Sequence, residues 1–432
     1  MKILNYIRRS LWIVQQKIKG SESVLFAYND VKLSQEDSDY YNKHINGKIN
    51  RILNHAKETT KFYTAYDPED LRSFPVIDKN TIVNNYSDFR SSEFVHQKNH
   101  IMCTSGSTGQ PFRIEQNREK RTRVLAEILY FSNKVGYEVG SSFVALINRE
   151  TVLKKPFFKQ FLQNNWALYT RHYDDESIRE IVDSIIKREV HTTLLSYAST
   201  LEVLCNYLEK NKLRIDNITG IISGAEALTS KTRKRLHQLF PSAAIVSRYS
   251  NQELGVLAQD YDEDVWELNK ANYFIEILDI NEDKPVPNNT IGRIIVTDLY
   301  NRAMPVIRYD TGDLGIFSQD SSGEKILTKI HGRKLDLLYD TSGNPISFFS
   351  LDDLFETNYD VKQYQIVQNN LNDIQINVIM KDGKKINELE VVDKIRIIFG
   401  NDMAVKINYL NSIPITKSGK FRCVICNYIP RK

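Results

Sequence analysis

A loop rich in hydroxyl groups and glycine is the first feature that could do chemistry. Residues 102–111 read Met-Cys-Thr-Ser-Gly-Ser-Thr-Gly-Gln-Pro and lie between two strand-like runs. Such a loop offers backbone N–H and hydroxyl donors, and glycine lets the backbone approach an anion closely. The segment predicts a phosphate-binding loop, although ordinary polar turns share this composition. Gln110 stands where a nucleotide P-loop has its lysine, which excludes the kinase and GTPase type.

Two further polar motifs each follow a strand-like run. They are Ser-Gly-Ala-Glu at 223–226 and Tyr-Ser-Asn-Gln-Glu at 249–253. Loops that follow parallel strands are where open α/β sheets bind ligands. A carboxylate such as Glu253 suits Mg²⁺, and the ring of Tyr249 could stack on a base. Taken singly, each motif is more typical of a strand-to-helix turn with solvated polar residues.

Three charged candidates follow in the second half of the chain. Asp313 ends a Tyr-x-Thr-Gly-Asp motif, and a carboxylate accepts well from a ribose diol. Arg333 could reach a phosphate or a ribose. Lys420 lies in a Thr-Lys-Ser-Gly-Lys loop that domain motion could bring to a distant site. A turn, a solvated linker and a basic tail are the respective alternatives.

The pattern around these motifs predicts a layered α/β fold with a largely parallel sheet, because strand-like and helical runs alternate between about 96 and 330. Strand-like runs without helices between them, about 273–317, predict a smaller antiparallel or distorted β-barrel-like part. A small α+β pattern ends the chain. We expect a basic amphipathic helix and lead-in at 1–38, a large domain at 39–332 and a small mobile domain on a hinge at 333–432.

Composition argues against several classes of protein, including nucleic-acid-binding and membrane-spanning proteins. The 432 residues include 58 Lys+Arg and 54 Asp+Glu, a net charge of +4 that does not indicate a nucleic-acid partner. The longest apolar runs have five residues, whereas a membrane span needs about 20. Four cysteines and no recognisable signal peptide favour a cytoplasmic protein. Cys423 and Cys426 could belong to a zinc or redox site, but we expect strand cysteines.

Residues 1–19 form a distinctive basic segment. Ile3, Ile7, Leu11, Val14 and Ile18 repeat at helical spacing, and five Lys or Arg residues occur without an acid. We expect this amphipathic helix to dock on the protein's own core. Peripheral contact with an anionic membrane is the alternative.

The motifs occur once each and in a fixed order, ending with Gly-Arg-x-x-Asp at 332–336 and Ser-Gly-Lys at 418–420. Over about residues 45–425 the series resembles the adenylate-forming (AMP-binding) superfamily of acyl-CoA synthetases. Gly-Ala-Glu at 224–226, Arg308 and Phe-Pro-Val-Ile-Asp-Lys at 74–79 make it most similar to the phenylacetate–CoA ligase branch. Within that branch it looks most like the short members found in capsular-polysaccharide gene sets.

The resemblance implies ATP-dependent activation of a carboxylic acid as acyl-adenylate with release of pyrophosphate, then transfer to CoA or another nucleophile. It implies catalytic roles for Lys420, Glu253 and Arg333, with Mg²⁺ on Glu253 and Lys420 bridging the carboxylate and the α-phosphate. It implies that ATP is bound by Thr104, Ser105, Gly106, Ser107, Thr108, Gly109, Gly224, Ala225, Glu226, Tyr249, Gln252, Asp313 and Arg333.

The sequence departs from the family pattern at Gln110, Ser250, Gln252 and Leu335. Three hypotheses therefore stay open. The protein is an acid–CoA ligase, a ligase that passes an acid or amino acid to a sugar amine or a carrier, or a degenerate nucleotide-binding protein without ligase activity. Family analogy also raises the option of a homodimer.

Overall fold

The computed structural model describes residues 2–104, 112–147, 156–169, 175–188, 191–262, 265–319, 325–333, 338–343, 345–346, 361–380, 384–413 and 424–428. The helices are Lys2–Lys19 (α1), Val24–Glu36 (α2), Ser38–Thr59 (α3), Lys79–Asn84 (α4), Tyr86–Phe89 (α5), Arg118–Asn133 (α6), Phe157–Gln163 (α7), Asp175–Ile186 (α8), Ala198–Lys210 (α9), Ser230–Leu239 (α10) and Glu388–Phe399 (α11).

The strands are His100–Thr104 (β1), Phe112–Gln116 (β2), Ser142–Ile147 (β3), Asn165–Tyr169 (β4), Thr192–Tyr197 (β5), Ile218–Gly224 (β6), Ala244–Asn251 (β7), Gly255–Asp262 (β8), Val265–Leu268 (β9), Tyr273–Leu278 (β10), Ile291–Asp298 (β11), Tyr309–Gln319 (β12), Lys325–Arg333 (β13), Leu338–Tyr339 (β14), Pro345–Ile346 (β15), Val361–Asn370 (β16), Asp373–Met380 (β17), Ala404–Tyr409 (β18) and Val424–Cys426 (β19).

One large sheet dominates the first three-quarters of the chain. Its strand order is β10-β11-β12-β13-β9-β8-β7-β6-β5-β3-β4. The run β4-β3-β5-β6-β7 is parallel, whereas β7-β8-β9 and β10-β11 are antiparallel. The predicted mixed α/β fold is confirmed. The strands between 273 and 317 do not form a sheet of their own, because they are hydrogen-bonded into this same sheet.

The parallel part of the sheet is covered by helices whose apolar spacing matches their buried faces. On α8, Ile178, Ile181, Val182 and Ile185 recur at helical spacing, and all are buried. They join Leu194 of β5 and the apolar side of α9 in one cluster. Fully buried aliphatic side chains of this kind each contribute roughly 1.5–3 kcal/mol. This core fixes the carboxyl ends of β5, β6 and β7, where the predicted site begins.

A buried polar network holds α6 against the antiparallel strands. The Glu127 carboxylate accepts from Val256 N at 2.8 Å, Asn269 Nδ2 at 2.8 Å and Asn272 Nδ2 at 2.5 Å. Burial raises the pKa of Glu127, while these donors and Lys120 oppose that rise. A Cβ added at Gly255 would lie 2.0 Å from Glu127 Oε1. The backbone φ of Gly255 is +138°, so only glycine fits beside the carboxylate.

The α1 helix forms as predicted, but its apolar stripe does not pack on the protein. Ile3 is 77% exposed and Ile18 is 82% exposed, and the other stripe residues are exposed as well. The opposite side of α1 contacts the protein, with Gln16 buried at 2% exposure. The expectation that the stripe docks on the protein's own core is therefore wrong. Among the described residues, no helix is both long and apolar enough to cross a bilayer.

The described chain divides into two compact units, residues 1–311 with 316–329, and residues 312–315 with 330–432. The smaller unit has its own sheet of order β18-β17-β16-β19, with α11 packed on it. Its β16–β17 hairpin turns at Leu371-Asn372. Cys426 is a half-buried strand residue, and the described residues hold no cluster of three metal-ligating side chains; Cys423 lies outside them.

Candidate functional site

The Gly-Ala-Glu motif and Tyr249 come together because neighbouring parallel strands end at one edge. Gly224, the last residue of β6, is in register with Arg248 of β7, directly before Tyr249. Ala225 then leaves the strand with φ of +65°, a left-handed conformation that turns the chain sharply. Glu226 Oε2 accepts from Ser199 N at 2.9 Å in the first turn of α9. These two motifs are therefore neighbours at this edge of the sheet.

Glu253 lies in the tight turn between β7 and β8 and points inward. Its side chain is 4% exposed, whereas Gln252 is exposed beside it. Gln116 Nε2, at the end of β2, donates to the Glu253 carbonyl at 2.9 Å. This contact ties the turn to the strand that leaves the hydroxyl-and-glycine loop. The carboxylate is thus held near the chain segment predicted to bind phosphate.

Among the residues that the structure describes, two side chains contact the Glu253 carboxylate. Tyr309 OH donates to Oε1 at 2.8 Å, and Lys79 Nζ lies 3.0 Å from the same oxygen. Tyr309 is fully buried, whereas the Lys79 side chain is 40% exposed. The Lys79 ammonium also lies 5.4 Å from the ring centre of Phe112, the first described residue after the predicted loop. Lys79 therefore faces solvent, Glu253 and the end of that loop at once.

An isolated β-bridge between two segments that are distant in sequence places Lys79 at this position. Ile77 pairs with Tyr309, with Ile77 N donating to Arg308 O at 3.0 Å and Asp310 N donating to Ile77 O at 2.7 Å. Asp78 then caps α4 by accepting from Thr81 N at 2.7 Å, which makes Lys79 the first helical residue. A cation is unfavourable at a helix N-terminus. The Glu253 carboxylate offsets that cost.

Tyr249 is also joined to the Tyr-x-Thr-Gly-Asp strand. Its hydroxyl donates to Thr311 Oγ1 at 3.2 Å, and Thr311 Oγ1 donates to Ile294 O at 3.0 Å. Tyr249 is therefore hydrogen-bonded to Thr311 and Glu253 to Tyr309, and the stretch of β12 from Tyr309 to Thr311 connects the two pairs within the larger unit. Asp313 follows two residues after Thr311 in β12, is half-buried, and is grouped with the smaller unit.

Several predicted site residues lie outside the described residues. They are Ser105, Gly106, Ser107, Thr108, Gly109, Gln110, Leu335 and Lys420. Thr104 ends β1 and Arg333 ends β13, and only their backbones are described. The β1–β2 hairpin nevertheless brackets residues 105–111, since Thr104 pairs with Phe112.

The chain is similar to known proteins over most of its length. Residues 338–427 match the family model for the CapK C-terminal domain. The chain is 23% identical over 427 residues to Protein CapK of Staphylococcus aureus, covering 93% of this chain and 92% of that protein. A crystal structure of 2-hydroxyisobutyryl-CoA ligase in the postadenylation state superposes with a TM-score of 0.73 at 16% identity, covering 91% of this chain and 90% of that one.

The chain has the adenylate-forming ligase fold. A second structure with this fold, ATP-bound MatB from Rhodopseudomonas palustris, has a TM-score of 0.54 at 18% identity and covers 74% of this chain and 65% of its own. The fold that the ordered motifs indicate is thereby confirmed, and the CapK matches fit the predicted branch.

Within the adenylate-forming fold, sequence reasoning missed Lys79, Tyr309 and Gln116 as site residues. Lys79 and Tyr309 stand inside motifs that supported the resemblance, but nothing local to either motif indicates the other. Only the pairing of Ile77 with Tyr309 brings them together. The first-turn lysine of α4 was the available signal, because a cation is poorly placed there without a partner.

Proposed function

We propose that the protein uses ATP to convert a carboxylic acid into an acyl-adenylate, releasing pyrophosphate, and then passes the acyl group to a nucleophile. The observation that carries the proposal is the connected group of Glu253, Tyr309, Tyr249 and Lys79 at the carboxyl ends of β6 and β7. The fold supports it, since solved structures with this fold carry acyl-adenylates and ATP.

The first step joins two anions, so the site must supply positive charge. A carboxylate oxygen attacks the α-phosphorus, a new O–P bond forms, and pyrophosphate leaves with the electrons of the broken bond. Preorganised charge at such a transition state is commonly the largest catalytic contribution. Lys79 is the described cation beside Glu253, and Lys420 is the cation that the resemblance assigns to the carboxylate and α-phosphate.

The Glu253 carboxylate fits a Mg²⁺ role. Mg²⁺ prefers oxygen ligands and is often held by one or two carboxylates together with substrate phosphates. Glu253 is one buried carboxylate next to a solvent-facing lysine, so the metal would share its oxygens with Lys79. Bound Mg²⁺ would supply positive charge to the phosphate oxygens. Tyr309 keeps the carboxylate oriented in either case.

Tyr249 and the Gly-Ala-Glu turn would frame the adenine. Tyr249 is fixed by its hydrogen bond to Thr311, and Ala225 presents an exposed backbone turn beside it. Asp313 would bind the ribose hydroxyls and Arg333 would support the ribose and phosphate, as the resemblance implies. Gln252 is exposed at the turn, where the family pattern has a hydroxyl residue.

The deciding experiment measures ATP- and Mg²⁺-dependent pyrophosphate release with pooled carboxylic acids and amino acids, each with and without CoA. Release that rises with one pool establishes adenylation. A Lys420→Ala variant is the catalytic control and should lose release by orders of magnitude while still binding ATP. No pyrophosphate release with any pool, together with intact ATP binding, would favour the degenerate nucleotide-binding alternative.

The acceptor of the second step separates the remaining hypotheses. Dependence on CoA would make the protein an acid–thiol ligase. Adenylation without CoA dependence would favour transfer to a sugar amine or a carrier, as expected for polysaccharide assembly. A cytoplasmic location and a homodimer belong to the same proposal.

A further inference from the structure

The orientation of α1 is fixed by polar contacts and leaves its apolar stripe outward. The helix backbone packs directly on Gly140, where a Cβ would lie only 2.5 Å from Asn5 O. Asn164 Nδ2 donates to Asn5 Oδ1 at 3.4 Å, and Arg9 forms an ion pair with Glu138 at 2.7 Å. Gln16 Oε1 accepts from Val24 N at 3.0 Å. These contacts lie on the helix side opposite the stripe.

A second helix adds exposed apolar side chains beside α1. On α7, Phe157 is 73% exposed, Phe158 is 69% exposed and Leu162 is 51% exposed. The two helices touch through Arg8, whose guanidinium donates to Phe161 O at 2.7 Å and lies 5.2 Å from the Phe161 ring. We define the α1–α7 face as Ile3, Ile7, Leu11, Val14 and Ile18 of α1 with Phe157, Phe158 and Leu162 of α7.

The charged residues of the two helices have one sign. Residues 1–19 contain five Lys or Arg residues and no acid, and Lys159 is the one charged residue of α7. Arg8 and Arg9 contact the protein, and Lys17, Lys19 and Lys159 are further cations at these helices. Each basic residue near an anionic bilayer contributes about 1 kcal/mol. Aromatic and aliphatic side chains flanked by lysine are typical of helices that lie in the interface.

We propose that the α1–α7 face docks the protein on the surface of an anionic membrane. The bilayer would bury the exposed Phe, Ile and Leu side chains, while the lysines contact lipid phosphates. A second copy of the chain fits less well, because pairing two such faces would bring like charges together. The proposal does not depend on the ligase activity, which belongs to a different part of the larger unit.

The test is flotation of the full-length protein with two kinds of vesicle. One contains phosphatidylcholine with roughly one-third phosphatidylglycerol, an anionic lipid, and the other contains phosphatidylcholine alone. We expect the protein to float with the anionic vesicles and to be released by high salt. Protein that stays in solution with anionic vesicles would overturn the proposal.

Matched variants show whether this face is responsible. Phe157→Ser with Phe158→Ser, and separately Ile18→Ser, should weaken vesicle binding, the double variant by about tenfold or more. Ile397→Ser is the control, because Ile397 on α11 is 82% exposed like Ile18 but lies in the smaller unit. Equal losses in control and test variants would refute the assignment. So would a dimer in light scattering that Ile18→Ser dissociates without any vesicle binding.

Discussion

Glu127 and Glu253 are two buried carboxylates with opposite surroundings. Every contact to Glu127 comes from a buried group, including Asn269, Asn272 and Tyr273. Glu253 instead shares Oε1 with buried Tyr309 and with Lys79, whose side chain is 40% exposed. The first carboxylate is enclosed by the fold, and the second is connected to solvent through a cation.

The difference distinguishes a buried carboxylate that stabilises the fold from a buried carboxylate that can take part in catalysis. A buried charge whose partners are all buried cannot exchange them without unfolding, so it fixes α6 against the sheet. A buried charge paired with a partly exposed lysine can exchange that partner for a metal or phosphate group at little cost. Perturbing the enclosed network should therefore change stability, whereas perturbing the Glu253 group should change activity.

The largest expected effect concerns the enclosed network. Lys120 and Asp298 are both fully buried and lie 2.6 Å apart, and Lys120 Nζ also donates to Tyr273 OH. Lys120→Met leaves the Asp298 charge without its partner and should cost about 3–5 kcal/mol in urea unfolding. Lys79→Met, the matched control in a solvent-facing pair, should cost about 1 kcal/mol or less. Similar losses in both variants would contradict the distinction.

The next effect concerns catalysis at Glu253. Glu253→Gln keeps the shape and the hydrogen bond from Tyr309 but removes the charge that suits Mg²⁺. We expect pyrophosphate release to fall about 10²-fold while the urea midpoint changes little. Glu276→Gln serves as a control, because Glu276 is a carboxylate that contacts Arg308 elsewhere in the same unit. A rate that survives in Glu253→Gln would remove this residue from the mechanism.

A smaller effect separates the two roles of Lys79. Lys79→Ala removes a cation from the site and should lower pyrophosphate release about tenfold. It also removes the competitor for Glu253, so the Mg²⁺ concentration at half-maximal rate should fall. Lys79→Arg should restore both values in part, and Lys32→Ala, which breaks a surface pair with Glu36, should change neither. An unchanged Mg²⁺ requirement would show that Lys79 acts only in folding.

Local patterns predict the elements well and their partners less well. The alternation of strands and helices from β3 to β7 agrees with the predicted α/β pattern, because apolar periodicity is set by the residues themselves. The stripe of α1 predicts a helix but not which side contacts the protein, and the polar contacts of Asn5 and Gln16 decide that. Local sequence likewise does not predict the ion pair of Lys79 with Glu253, because that pair depends on the pairing of Ile77 with Tyr309.

The smallest expected effect concerns the pH dependence of stability. It involves a third carboxylate, Asp30, whose environment is intermediate between those of Glu127 and Glu253. Asp30 lies 2.6 Å from Arg123 NH1 and 3.2 Å from Lys48 Nζ, and it accepts from Tyr40 OH at 2.9 Å. Burial alone would raise the pKa of Asp30, but these partners outweigh it and lower the pKa to about 2.

A carboxylate with a lowered pKa in the folded state stabilises the protein above its unfolded pKa, and this contribution is lost as the pH falls towards the folded value. The unfolding free energy should therefore decline between about pH 4 and pH 2 in part through Asp30. Asp30→Asn should cost on the order of 1 kcal/mol at neutral pH and flatten that decline. Asp216→Asn is the control, because Asp216 is an exposed carboxylate in the same unit, and it should leave the acid slope nearly unchanged. Parallel pH curves for wild type and Asp30→Asn would place Asp30 outside the set of carboxylates whose charge holds α2 to α6.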